Sequence, residues 1–136
     1  MRLLIVDDEE NIVAFFSALA RNQGQADIDT AGSGEEALTR VLRKAYDLIT
    51  LDIHMPGASG LEVIAMLRNM NPHAIIALVS GYMPEDISSE VANCADVMLP
   101  KPVSVSTFNQ LLASATQISQ IMDQIRLLGM APATLR

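Results

Sequence analysis

The chain has 136 residues, half of them hydrophobic, and a formal net charge of −7. This length can bury one core and hardly two, so we expect one compact domain. Nine Lys and Arg scattered along the chain supply no basic face, which argues against direct nucleic-acid binding. No apolar stretch suits a signal peptide or a membrane span, so we expect a cytoplasmic protein, and the single Cys94 excludes an intramolecular disulfide.

Strand-like and helix-like segments alternate from the N-terminus onward. The apolar run 3–6 predicts a buried strand. Apolar residues at helical spacing over 12–20 then predict a helix that Gly24 can end in the left-handed conformation. A weaker strand is expected over 26–30.

Two capping boxes mark the starts of the second and third helices. Ser33 with Glu36 opens the second helix, and Ser59 with Glu62 opens the third. The apolar run 48–51 between them predicts the third strand. The inner faces of these helices are expected to carry Leu38, Val41 and Leu42 in the second and Ile64 and Leu67 in the third.

The same alternation continues to the C-terminus. Residues 74–79 form a continuous apolar strand, and Pro84 suits the first turn of a short helix that passes through Ile87 to Val91. The run 97–99 predicts a fifth strand before a last, extended helix. Each crossover is long enough for parallel pairing, so the chain is predicted to be an α/β protein, a three-layer α/β/α sandwich around a five-stranded parallel sheet.

Charged residues follow three of the predicted strands. Asp7 and Asp8 come after the first strand, Asp52 ends the third, and Lys101 follows the fifth. The carboxyl ends of parallel strands meet at one edge of a sheet, so these side chains should lie together. Three carboxylates about 5 Å apart repel by roughly 3 kcal/mol per pair at an effective dielectric near 20, which makes a hard divalent cation their natural partner. An oxygen-only ligand set favours Mg²⁺ over Zn²⁺.

The motifs at the strand ends resemble those of the receiver domains of two-component response regulators. The resemblance covers residues 2–116, and it is specific because several motifs occur in order. These motifs are Asp7-Asp8, Asp52 with Met55-Pro56-Gly57 and Gly60, Ser80-Gly81, and Lys101-Pro102. It implies the flavodoxin-like strand order 2-1-3-4-5, with a receiver domain over 1–116 and an extended helix followed by a tail or linker over 117–136.

The resemblance also implies a phosphoacceptor and a metal site. Asp52 would take a phosphoryl group from a phosphohistidine on a sensor histidine kinase or a histidine phosphotransfer protein. Asp8 would bind Mg²⁺ directly and Asp7 through water, and Mn²⁺ could substitute for Mg²⁺. Asp52 and the backbone carbonyl of His54 would complete the protein's share of the ligands.

Lys101 and Ser80 would act on the phosphoryl group. Lys101 would supply positive charge, and Ser80 would hydrogen-bond one phosphoryl oxygen. The family usually carries an aromatic switch residue three positions before this lysine, where the chain has Met98. Phosphorylation is therefore expected to be read out through the backbone of 80–83, unless Met98 is simply a core residue. The peptide bond before Pro102 is usually cis in the family.

Each candidate also has a structural interpretation when it is taken alone. Asp8 could be an N-cap, Asp7 a solvated strand end and Lys101 a surface charge. Their convergence at one sheet edge favours the site instead. His54 and Tyr82 are expected to flank the path of hydrolytic water, and the sequence leaves open whether they slow or assist hydrolysis.

An apolar stripe runs along the last helix beyond the receiver motifs. Its spacing of three and four predicts a helix from Ser104 to about Leu128, before Gly129 and Pro132. The stripe consists of Phe108, Leu111, Ala115, Ile118, Met122 and Ile125. It predicts a helix folded on its own domain, or else a homodimer seam or a connector to an effector domain.

Three classes of function are compatible with these motifs. The leading one is a phosphoacceptor signalling domain whose phosphorylation changes its association with a partner or with itself. An interaction module that works without phosphorylation is the alternative, against which the intact site counts. An aspartyl-phosphate hydrolase would normally carry a second acid where this chain has His54. We therefore expect no enzyme beyond catalysis of its own phosphorylation and slow dephosphorylation, and the downstream partner stays open.

Overall fold

The protein is built on one parallel sheet, and this computed structural model describes residues 1–82 and 87–129. The sheet has five strands in the order β2-β1-β3-β4-β5, and all its neighbouring pairs are parallel. The predicted architecture and strand order are thus confirmed. The elements are β1 (Arg2–Val6), α1 (Glu10–Asn22), β2 (Asp27–Ala31), α2 (Gly34–Arg43), β3 (Leu48–Asp52), α3 (Gly60–Met70), β4 (Ile75–Ser80), α4 (Ser89–Ala92), β5 (Val97–Pro100) and α5 (Val105–Arg126).

Apolar residues cover both faces of the sheet and form two cores. Successive strand residues point to opposite faces, so Leu4 and Val6 pack with α2 and α3, whereas Leu3 and Ile5 pack with α1 and α5. Under α1 and α5, the rings of Phe16 and Phe108 stack with centroids 4.4 Å apart. The central strands read as continuous apolar runs because both of their faces are buried.

Both predicted capping boxes start helices. The Oγ of Ser33 accepts from the backbone N–H of Glu36 at 3.1 Å, and that of Ser59 accepts from Glu62 at 3.3 Å. The Glu36 carboxylate reaches back to the N–H of Gly32 at 3.0 Å, one residue before the cap. Beyond the end of α1, Gly24 takes the left-handed conformation, with φ of 86°.

Two details of the helix predictions are wrong. Leu42 does not lie on the inner face of α2, because 69% of it is exposed, and Ala37 is buried in the core instead. Of the short helix expected to pass through Ile87 to Val91, the described residues place Ser89–Ala92 in α4 with Ser88 as its N-cap, so Ile87 lies outside it. Pro84 and Pro132 lie outside the described residues. Over 1–82 and 87–129, no helix is long and apolar enough to cross a membrane.

Gly60 lies where α3 starts against the end of β3. A Cβ at this position would stand 2.2 Å from the carbonyl oxygen of Asp52. We expect Gly60→Ala to lower the free energy of unfolding in urea by about 3 kcal/mol, because backbone rather than a flexible side chain would have to move. Gly32→Ala is the control, since its Cβ would meet only the Glu36 carboxylate, at 3.7 Å. Equal losses in the two variants would contradict this packing.

Candidate functional site

The candidate site lies at the carboxyl edge of the sheet, where the strand order reverses between β1 and β3. Asp7 follows β1 directly, and its backbone N–H donates to the carbonyl of Ala31, the last residue of β2, at 3.0 Å. Asp52 is the last residue of β3 and pairs with Val79 on β4. The chain thus brings its acidic strand ends together through backbone pairing alone.

Three carboxylates meet at this edge, as the sequence predicted. Asp7, Asp8 and Asp52 each offer an oxygen within 4.8 Å of the others. Asp7 and Asp52 are each only 3% exposed, whereas Asp8 faces solvent. A surface depression of about 330 Å³ opens beside Asp7 and Asp8, on the side of the cluster that faces Thr30 and Gly32.

Lys101 places its ammonium among these acids. Its Nζ lies 2.8 Å from Asp7 Oδ2, 3.4 Å from Glu9 Oε1 and 3.6 Å from Asp52 Oδ2. Burial by itself lowers the pKa of Lys101, but the hydrogen bond and charge of Asp7, followed by Asp52 and Glu9, outweigh burial and raise it overall. The lysine is therefore held in its charged form.

The second buried acid of the site is Asp52, and its pKa is raised. Burial, and after it the charge of Asp7, raises the pKa of Asp52 to about 6, although Lys101 and the backbone N–H of His54 act in the opposite direction. Within the described part of the chain, one ammonium thus faces four carboxylates, counting Asp8 and Glu9. An oxygen-only donor set with excess negative charge fits a divalent cation.

Ser80 ends β4 next to the acids and is buried. Its Oγ donates to the carbonyl of Tyr82 at 2.7 Å and accepts from the N–H of Tyr82 at 3.1 Å. The imidazole Nε2 of His54 lies 2.9 Å from the same carbonyl, and the backbone N–H of His54 donates to Asp52 Oδ1 at 3.2 Å. His54 therefore connects the end of β3 to the loop after β4.

The structural interpretations of single residues are wrong at two positions. Asp8 is not the N-cap of α1, because Glu9 occupies that position and makes no side-chain capping bond. Asp7 is not a solvated strand end, because it is buried. The contact of Glu9 with Lys101 was missed, and its sequence signal was the unbroken acidic run 7–10. The peptide bond between Lys101 and Pro102 is cis.

The remaining candidate residues are Met98 and the apolar stripe of α5. Met98 is partly buried against the core under α2 and α3, which agrees with its interpretation as a core residue. Phe108 and Ala115 are buried in the core under α5, so this half of the stripe packs on its own domain and forms no seam. Leu111 lies against the same core, Met122 is half-buried, and Ile118 and Ile125 are exposed.

A parallel sheet in this order, with three carboxylates and a lysine at its carboxyl edge, defines the class of flavodoxin-like receiver domains. Comparison with known families agrees, because the model of the response regulator receiver domain matches residues 3–113. The chain belongs to the response regulator receiver family, which is not a classical family of enzymes.

Curated relatives include bacterial and plant response regulators. The transcriptional regulatory protein ResD of Bacillus subtilis is 38% identical over 123 residues, which cover 87% of this chain and 50% of ResD. A two-component response regulator of Oryza sativa subsp. japonica is 35% identical over 117 residues, which cover 83% of this chain and 92% of that protein. The chain spans between 20% and 58% of the length of the transcription factors and transcriptional regulators that it matches.

Solved structures of receiver proteins match as well. The response regulator TrrA from Thermotoga maritima, in complex with Mg²⁺ and BeF, is 37% identical with a TM-score of 0.71, and the match covers 86% of this chain and 97% of TrrA. A response regulator from Burkholderia pseudomallei with a phosphorylated aspartic acid, calcium and citrate is 28% identical with a TM-score of 0.73, covering 94% of this chain and 74% of that one. The chain is therefore a receiver domain of a two-component response regulator.

Proposed function

We propose that Asp52 is the phosphoacceptor, and that its phosphorylation changes how the domain associates with a partner or with a second copy. One observation distinguishes Asp52 from its buried neighbour. Both oxygens of Asp7 are engaged, Oδ1 by the N–H of Glu9 at 2.9 Å and Oδ2 by Lys101 at 2.8 Å. Asp52 Oδ2 accepts no hydrogen bond from a described residue, because the nearest ammonium, Lys101 Nζ, lies 3.6 Å away. This oxygen keeps the free lone pairs that a nucleophile needs.

The phosphoryl donor would be a phosphohistidine on a sensor histidine kinase or a histidine phosphotransfer protein. Asp52 Oδ2 forms a bond to phosphorus, the phosphorus–nitrogen bond of the donor breaks, and the nitrogen leaves with the bonding electrons. Lys101 already stands beside Oδ2, so its charge can stabilise the phosphoryl oxygens during transfer. The buried Ser80 hydroxyl would then donate to one of these oxygens.

The same site would hold a divalent cation. We assign Mg²⁺ to this site, and Mn²⁺ could substitute for it. Asp8, Asp52 and the backbone carbonyl of His54 would bind the cation directly, and Asp7 would bind it through water. When bound, the cation supplies further positive charge to the transferring group. The fit rests on the donor chemistry, because three carboxylate oxygens within 4.8 Å suit a hard cation.

Incubation with Mg²⁺ and acetyl phosphate tests this function without a known kinase. We expect intact mass to increase by one phosphoryl group, because the protein would catalyse its own phosphorylation. The adduct should be labile to base and to hydroxylamine, as an acyl phosphate is. A stable phosphoserine would contradict the proposal. The absence of any adduct would also contradict it and would favour an interaction module that works without phosphorylation.

We further propose that two chains pair through the second half of α5. The large apolar side chains exposed in this part of the helix lie three and four residues apart, which is the spacing of a coiled-coil seam. They are Ile118, Ile121 and Ile125, and Leu127 and Leu128 are also exposed directly after the helix ends. Asp123 and Arg126 pair with each other at 3.1 Å, so this segment is nearly neutral in a chain of charge −7. Two copies can therefore approach here without the repulsion that acts elsewhere.

Ile118→Glu with Ile125→Glu is expected to keep the protein monomeric, because it places charges in the seam and leaves the acidic edge untouched. Sedimentation of this variant and of the wild type, with and without acetyl phosphate, measures the association. Gln120→Glu with Leu127→Glu adds the same charge outside the seam and should associate like the wild type. Monomers in every sample would show that α5 serves only its own domain.

The domain boundary at residue 116 and the cytoplasmic location stay predictions.

A further inference from the structure

The carbonyl oxygen of Tyr82, just after β4, is held by two side chains. The carbonyl of Tyr82 lies 2.7 Å from Ser80 Oγ and 2.9 Å from the imidazole Nε2 of His54. A carbonyl oxygen can only accept, so both groups act as donors here, and Nε2 of His54 carries a proton. Two side chains from neighbouring strand ends therefore share one acceptor.

The proton of Ser80 cannot serve two acceptors. A serine hydroxyl has one O–H donor, and in this structure it is used on Tyr82. A phosphoryl group on Asp52 can receive that proton only after the bond to Tyr82 has broken. Of the side-chain donors that the structure describes at the Tyr82 carbonyl, His54 would then be the one that remains.

We infer that His54 is a positioning residue: its imidazole keeps the carbonyl of Tyr82 hydrogen-bonded, and so lets the hydroxyl of Ser80 turn to the phosphoryl group. This inference rests on the proposed function of Asp52. His54 is suited to the role because its backbone N–H is bonded to the Asp52 carboxylate, at 3.2 Å, while its ring reaches the loop. The ring of His54 also lies against that of Tyr82, with centroids 6.0 Å apart.

His54→Phe separates the hydrogen bond from the ring contact. Phenylalanine keeps a flat ring beside Tyr82 and cannot donate, so the carbonyl of Tyr82 would lose both side-chain donors described here when Ser80 turns away. We expect the rate of phosphorylation by acetyl phosphate to fall and the lifetime of the adduct to become shorter, each by about two- to tenfold. This range is the net effect of one hydrogen bond. His54→Gln can still donate from its amide and should restore both values to within about twofold of the wild type.

Combination with Ser80→Ala tests whether His54 acts through Ser80. The hydroxyl is absent from this variant, so adding His54→Phe should change the rate and the lifetime little further. The amide proton of Tyr82 gives a second readout, because it is bonded to Ser80 Oγ. Its NMR resonance should move on phosphorylation of the wild type and move less in His54→Phe.

Several results would overturn the inference. His54→Phe with wild-type kinetics, His54→Gln as slow as His54→Phe, or an undiminished effect of His54→Phe in the Ser80→Ala background would each do so. In those cases the wild type is still phosphorylated and the proposed function stands. A wild type that takes no phosphoryl group would overturn the proposed function, and this inference with it.

Discussion

Asp52→Asn is expected to abolish phosphorylation by acetyl phosphate, which is the largest effect that we predict. The amide keeps the size of the carboxylate and removes the nucleophilic oxygen. The fold should be retained, because the substitution also removes a buried negative charge beside Asp7, whose repulsion helps to raise the pKa of Asp52 to about 6. Intact mass reports the adduct, and urea unfolding reports the stability.

Asp123→Asn is the matched control for this prediction. It makes the same chemical change on the exposed surface of α5, away from the acidic edge, and should be phosphorylated like the wild type. An adduct of wild-type yield on Asp52→Asn would show that another group is the acceptor. A loss in both variants would trace the effect to something other than the nucleophile.

The divalent cation is expected to have the second largest effect. Mg²⁺ should raise the melting temperature, because it binds a cluster of carboxylates that only the folded chain assembles. At a hundredfold excess over its dissociation constant, this binding adds about 2.7 kcal/mol to the free energy of unfolding. Asp8→Ala should remove most of that gain. It should also raise the stability without added metal, because one repelling charge is gone.

Glu10→Ala provides the comparison for Asp8→Ala. It removes an exposed acid from the first turn of α1, outside the three-carboxylate cluster, so its response to Mg²⁺ should match that of the wild type. Thermal unfolding by circular dichroism with and without millimolar Mg²⁺ gives the comparison. A wild-type melting temperature that is indifferent to Mg²⁺ would contradict the assignment of the site.

The acidic edge could be predicted from the sequence because it depends on backbone geometry. Once the runs ending near Asp7, Asp52 and Lys101 are parallel strands, their carboxyl ends must lie at the same edge of the sheet, whatever the side chains do. The strand order could not be predicted from this geometry. It came from the resemblance to a family, since alternation of strands and helices fits several orders of a parallel sheet.

The wrong placement of Leu42 on the inner face of α2 has a cause in packing. Helical spacing places Leu42 near the apolar side of α2, but it does not specify how closely the neighbouring helix approaches. A Cβ on Gly34 would lie 2.6 Å from the carbonyl oxygen of Ala58, so α2 approaches the loop before α3 too closely for bulk, and small Ala37 is buried there. In α5 the apolar pattern likewise continues beyond Ala115, which is the last residue of this helix in the buried core.

The hydrogen bonds around Ser80 could not be read from any periodic pattern. They join residues from two strand ends through the carbonyl of Tyr82, and a carbonyl carries no sequence signature. The same holds for the contact of Glu9 with Lys101, which spans most of the chain. Such contacts depend on loop conformation, which turn residues constrain only locally.

Chemical trapping of the phosphorylated residue tests the central claim most directly. Borohydride reduces an aspartyl phosphate to homoserine, so mass spectrometry of peptides from protein treated with Mg²⁺ and acetyl phosphate identifies the acceptor. We predict homoserine in place of Asp52 and at no other position. Homoserine in place of Asp7 or Asp8, or no trapped residue in a protein whose intact mass has increased, would contradict the assignment of Asp52 as the phosphoacceptor.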